Sequence, residues 1–182
     1  MRSRSRSLNR TRQMIVFAML GSIMFISKLV MEFLPNVHLL GVLTMSYTLV
    51  YRSKALIPIY IYVLLNGLYA GFQLWWVPYL YVWTILWGVT MLLPKQMPRR
   101  IAVSVYMGVC ALHGLLFGIL YSPFQALAMG LSAKQMWMWI LSGLPWDLLH
   151  AVGNMVVATL IFPLSALLRK MESKFSVSEK NG

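Results

Sequence analysis

Acidic side chains are scarce. The chain has 182 residues and four acids, Glu32, Asp147, Glu172 and Glu179, no two of them adjacent. Cysteine is scarcer still. Cys110 stands alone inside an apolar run, so it forms no internal disulfide and no thiolate pair for a metal; it reads as a small core residue. No HExxH helix, GxSxG elbow or Walker A loop occurs. The chain therefore carries no ATP-hydrolysing motif of its own, and any active transport would draw on a partner or an ion gradient. His150 and Asn154 form a His-x3-Asn pair like that of intramembrane CAAX-type proteases, but the Glu-Glu pair those enzymes also need is missing. Charged residues are 11% of the whole, against roughly a quarter in a soluble domain.

Apolar sequence fills the space. Hydrophobic residues make up 59% and the mean hydropathy is +0.70. Proline and charge divide the chain into six apolar segments of roughly membrane-spanning length or a little less: Gln13–Leu34, Leu39–Tyr51, Ala55–Phe72, Leu74–Leu93, Ile101–Tyr121 and Trp146–Leu168. The expected fold is an all-α membrane protein of six transmembrane helices. A basic arm (1–12) and a loose tail (171–182) flank the six-helix domain (13–170). The first apolar run continues to Leu34 with no small-residue cleavage site, so it reads as a retained helix rather than a signal peptide. Pro35-Asn36 should break it. The stretch from Ser122 to Pro145 is too long for a bare turn and is expected to form a short helix at the membrane surface.

The formal charge is +12, and its placement separates membrane from nucleic acid. Fourteen of the sixteen basic residues precede segment one, follow segment six, or join segments two to three and four to five. With six alternating spans all fourteen share one side, a positive-inside pattern that puts both termini in the cytoplasm and argues against nucleic-acid binding. Lys134 alone falls on the other side, and Lys28 lies within segment one, one turn from Glu32, with which it can pair. The outer side is aromatic instead. Trp75, Trp76, Tyr79, Tyr81 and Trp83 crowd together there, as an interfacial belt or as the flat walls of a pocket.

Polar residues within oil cost several kcal/mol unless paired or hydrated, so each is a functional candidate. If Pro145 lies in the first turn of segment six, Asp147 lies there too, where the helix dipole and free N–H groups favour a carboxylate. Asp147, His150 and Asn154 follow one another at offsets of three and four, which makes a single stripe on a helix. The stripe forms either the wall of an outward-facing pocket or a hydrogen-bonded seam between helices. His113 in segment five, Asn66, Tyr69 and Gln73 toward the outer end of segment three, and Asn36 and His38 in the first external turn complete the candidate binding set with Trp75, Trp76 and Tyr79. No metal site, catalytic residue or resident cofactor is expected. On segment one, Ala18 and Ser22 stand four apart beside Gly21, a small-residue spacing that lets another helix approach closely.

Together these features resemble the S components of energy-coupling factor (ECF) transporters, small membrane proteins that capture a vitamin. The resemblance spans about Gln13 to Lys170. It is carried by "EFLPNVHLLGVLTMSYTLVYRSKALIPIYIYVLLNGLYAGFQLWWVPYLYVWTILWGVTMLLPK" and by "GLPWDLLHAVGNMVVATLIFPLSALL", whose Asp-x2-His-x3-Asn pattern is similar to the family's sixth helix. It implies a substrate site at the outer face and a docking face at Ala18, Gly21 and Ser22 for a T component. That component and two ATP-binding-cassette ATPases would be the partners. The resemblance is nearest to the group proposed for cobalamin. Thiamin or a pyrimidine precursor, pantothenate, a pyridoxal-like vitamer and a queuosine precursor are the alternative substrates. An intramembrane metal-dependent enzyme built on Asp147, His150 and Asn154 is the rival from another class.

Overall fold

A computed structural model describes residues 2–34 and 36–178, with side chains described for 10–34 and 36–173. Among the described residues all regular secondary structure is helical, joined by short turns, and there is no strand. Eight α-helices follow in order: α1 (Arg2–Val30), α2 (Leu40–Tyr51), α3 (Leu56–Ala70), α4 (Tyr79–Leu92), α5 (Arg99–Leu115), α6 (Phe117–Met129), α7 (Ala133–Val157) and α8 (Ile161–Ser178). Short 3-10 turns sit at Arg52–Ala55, Leu74–Trp76 and Ala158–Leu160. Among the described residues, four helical stretches are long and apolar enough to cross a membrane: Arg10–Val30, Leu40–Ala70, Arg99–Met129 and Ala133–Ser173.

α2 is the centre of the bundle. Its sequence, LGVLTMSYTLVY, is apolar apart from the small hydroxyls of Thr44, Ser46 and Thr48, which suits a helix surrounded by other helices, and it is buried from Leu40 to Leu49. It packs chiefly on α4 and α8, while α1 lies along α3 and α5 along α7. At α2's end Arg52 turns the chain with φ 54°, a left-handed conformation uncommon for a side chain of that bulk. Three bonds hold it there. Its N–H donates to Thr48 O, its guanidinium donates to Met91 O at 2.7 Å, and its carbonyl accepts the Trp87 indole N–H at 3.1 Å.

α7 inverts the usual amphipathic arrangement. Its buried residues are Ile140, Asp147, His150 and Asn154, whereas Leu148, Leu149, Val152, Met155 and Val156 are exposed. In water that distribution would be inside-out. It suits a helix whose outer solvent is hydrocarbon.

Several expected boundaries move. The anticipated surface helix between segments five and six does not form separately. α6 and α7 extend to meet at a tight turn, with Gly130 at φ 64° closing α6 and Ser132 opening α7 through a reciprocal capping box with Gln135. Pro145 therefore lies well inside α7, and Asp147 is not in its own helix's first turn. The arm 1–12, expected to be loose, is helical from Arg2 onward, and the tail continues α8 to Ser178; residues 179–182 lie outside the described residues. α1 ends at Val30, ahead of the break expected at Pro35-Asn36; Pro35 itself is outside the described residues. Segment four is split into a 3-10 turn and the 14-residue α4. At 1.5 Å per residue α4 spans roughly 21 Å, short of a ~30 Å hydrocarbon layer on its own.

Candidate substrate site

Trp83 is the hub of the candidate site. It is 1% exposed, on α4, with five rings around it: His38 at 5.9 Å, Tyr62 at 6.2 Å, Tyr79 at 6.1 Å, His113 at 5.6 Å and Phe117 at 6.1 Å. His150 closes the layer, 4.8 Å from the His38 ring and 5.1 Å from Phe117. These residues come from α3, α4, α5, α6 and α7 and from the segment before α2, so the layer joins most of the bundle.

The layer is rich in unanswered polar atoms. His38 Nδ1, the Tyr62 hydroxyl, both amide atoms of Asn66, Trp83 Nε1, His113 Nδ1, His150 Nε2 and Asn154 Oδ1 are sealed from solvent without a hydrogen-bond partner. Each such group costs about 1–3 kcal/mol. Eight of them together would consume most of a typical folding stability of about 5–15 kcal/mol. Buried polar groups are normally answered by protein, water or ligand, so this array is the candidate place for such a partner.

Other bonds position the layer. Asn154 donates through Nδ2 to Cys110 O at 3.1 Å, tying α7 to α5 and leaving its Oδ1 inward. Gly114 permits that approach, because a Cβ there would lie 2.8 Å from Asn154 Nδ2. His113 Nε2 lies 3.2 Å from Val82 O. Burial holds the His38 imidazole down to about 4, with the nearby His113 and Lys28 acting in the same direction against a local backbone hydrogen bond, so His38 is neutral near pH 7. Asp147 does not face this layer. Both of its oxygens accept the Gly118 N–H at 3.2 Å, which anchors the start of α6.

The remaining sequence candidates divide. His38, Tyr79, His113 and His150 meet in the layer; Asn66 and Asn154 are buried one helical turn beyond Tyr62 and His150 on α3 and α7. Trp75 is half-buried, 5.6 Å from Tyr79, and its carbonyl accepts the Tyr121 hydroxyl. Trp76 is committed to structure, with its indole N–H on Val63 O at 2.8 Å. Asn36 reaches Trp146 O at 3.2 Å from an exposed turn. Tyr69 and Gln73 do not join the layer: Tyr69 is 60% exposed and packs on Phe25 of α1, and Gln73 is exposed in the following turn. On α1, Ala18 faces outward and Ser22 is half-buried, its hydroxyl returning to Ala18 O at 2.9 Å, while Gly21 is turned inward against Ile61 and Pro58 of α3. The Lys28–Glu32 pair forms at 3.7 Å.

Three central residues carried no individual assignment in the sequence. Trp83 was one of an aromatic crowd, and Tyr62 and Phe117 were unmarked. Trp83 and Tyr62 lie four residues from the candidates Tyr79 and Asn66, a spacing that shares one helix face, and Phe117 opens α6 just past the break that follows His113. Among the described residues no three His, Cys, Asp or Glu side chains group as a metal set. Comparison of the chain with protein-family models, curated proteins and solved structures finds no match.

Proposed function

We propose that this chain is the substrate-capture subunit of an ECF-type vitamin importer, with six membrane passes and both termini in the cytoplasm. In this reading α1, α2, α3, α4, α5–α6 and α7–α8 are the passes. The observation that carries it is the Trp83 layer: aromatic walls and unpartnered, uncharged polar atoms, set away from the cluster of arginines and lysines at the other end of the bundle. Arg52, Arg99 and Arg169 reach the backbone or rings of α4, α8 and α2, and Lys54 reaches Gln13 of α1, all at one end of the bundle. Asn36, Trp75, Lys134 and Asp147 belong to the opposite end. Vitamin entry from that opposite, outer side follows from the charge asymmetry.

The layer suits a ligand with a flat face and mixed hydrogen-bond donors and acceptors. Its rings already touch one another, so a one- or two-ring vitamer is accommodated by side-chain rearrangement. A corrinoid, the substrate to which the resemblance points first, requires the α6–α7 hairpin to swing aside. A T component and two ATP-binding-cassette ATPases would supply the work of release, since the chain contains no nucleotide motif.

A thermal-melt screen of the purified chain tests the proposal. Cobalamin, thiamin, pantothenate, pyridoxal and a queuosine precursor base form the panel, and a ligand that binds only the native state raises the midpoint with concentration. A saturable rise with one member and none with the others supports the reading. No rise with any of them, and no co-purifying T component or ATPase, contradicts it.

A further inference from the structure

The basic end of the molecule holds a cleft that substrate capture does not use. It has a volume of about 540 Å³ and opens between α1, the 3-10 turn Arg52–Ala55 and α8. Arg10, Arg12, Lys54 and Arg169 line it, and Glu172 is the single carboxylate among its lining residues. Its floor is apolar, formed by Val16, Phe17 and Val50. The opposite, outer side of α1 carries Met14 and Ile15, 71% and 56% exposed.

We propose that this cleft binds the phosphate-bearing headgroup of an anionic membrane lipid. A positive-inside bias explains why cations are on this side of the chain. It does not explain why four of them converge from three separate elements on one cavity. Convergent Arg and Lys donors are the chemistry that recognises a phosphodiester anion, and basic pockets between helices at the cytoplasmic surface hold such headgroups. The apolar floor distinguishes a lipid from a soluble phosphate: a headgroup seated between the cations leaves its acyl chains against Val16, Phe17 and Val50. Arg169 also borders a second cleft, of about 410 Å³, whose lining includes Lys95. The site depends on membrane insertion and is independent of the vitamin proposal, being at the other end of the bundle.

The test uses the full chain purified in a neutral detergent, with phosphatidylglycerol or phosphatidylcholine added in mixed micelles and binding read by melting midpoint and native mass spectrometry. Phosphatidylglycerol is expected to raise the midpoint saturably, and phosphatidylcholine is not. Lys54→Gln and Arg10→Gln each weaken phosphatidylglycerol binding by about fivefold, the value of one cation near an anionic surface. Lys134→Gln, at the opposite end, leaves it unchanged. Equal shifts with both lipids would overturn the proposal, as would full phosphatidylglycerol preference in both cleft variants. Inorganic phosphate at millimolar concentration is the third arm; if it alone reproduces the shift, the cleft takes a soluble phosphate and the lipid assignment fails.

Discussion

Asp147 and Gly118 meet across two helices: both oxygens of the α7 carboxylate accept the Gly118 N–H at 3.2 Å. An acid in the middle of one helix thus caps the beginning of another. The electrostatics expected for Asp147, a carboxylate against free N–H groups at a helix start, are present, but the helix served is α6. Gly118 is required for the contact, because a Cβ at that position would collide with the carboxylate. Loss of such a cap costs about 0.5–2 kcal/mol. Asp147→Ala should therefore lower the melting midpoint by a few degrees, and Gly118→Ala by at least as much. The double variant should cost less than the sum, since removing the carboxylate relieves the collision. Strict additivity in the melts would show that the two residues act independently.

Asn66 offers a sharper separation of stability from function. It is 1% exposed, and neither amide atom has a partner. Replacing such a group by an apolar one of similar volume removes a desolvation cost. Asn66→Leu should raise the midpoint of the ligand-free protein by about 2–4 °C, the shift for roughly 1 kcal/mol in a chain of this size, while weakening vitamin binding at least tenfold. A variant that is both more stable and binds normally would remove Asn66 from the site.

Acid should loosen the protein in a predictable window. The unfolded chain protonates His38 near 6.5, whereas the folded chain resists until about 4. A group whose folded value is depressed favours the fold fully above its unfolded value and loses that contribution as the pH falls through the folded one. Stability should be flat above about pH 7 and decline between 6.5 and 4. His38→Gln should make the decline shallower when melting midpoints are plotted against pH; an unchanged slope would mean His38 is solvated in the fold.

The two kinds of small residue on α1 should behave differently. Ala18 faces outward, with the Ser22 hydroxyl folded back on its carbonyl, whereas Gly21 lies against Pro58 and Ile61. Ala18→Leu should leave vitamin binding and stability intact and reduce uptake in cells supplying the T component and ATPases. Gly21→Leu should destabilise the isolated chain itself, because it strikes α3. Normal uptake with Ala18→Leu would exclude that face as the docking surface.

The sequence was legible where one physical signal dominated. The apolar segment Leu39–Tyr51 became α2, and the three-and-four spacing of Asp147, His150 and Asn154 became a buried stripe. It misled where two signals competed. Pro145 suggested a helix start, yet Gly130 and the Ser132-x-x-Gln135 capping box already defined the α6–α7 turn thirteen residues earlier. A proline within a helix is tolerated when the freed carbonyl finds another donor, as Ile119 O finds the Ser122 hydroxyl, at 2.9 Å, below Pro123. The centrality of Trp83 could not be read locally, because it depends on which faces of five helices converge. Tyr69 shows the reverse case. It lies one turn beyond Asn66, but α3's last turn rests against α1 and carries the ring away from the layer.

Calorimetric titration of the panel vitamins onto the wild-type chain, with Asn66→Leu and His150→Ala measured alongside, tests the central claim most directly. The account predicts one-site binding of a single vitamin to the wild type, with affinity reduced at least tenfold in both folded variants. Equal affinity in all three proteins would place the ligand elsewhere and contradict the assignment of the Trp83 layer as the substrate site.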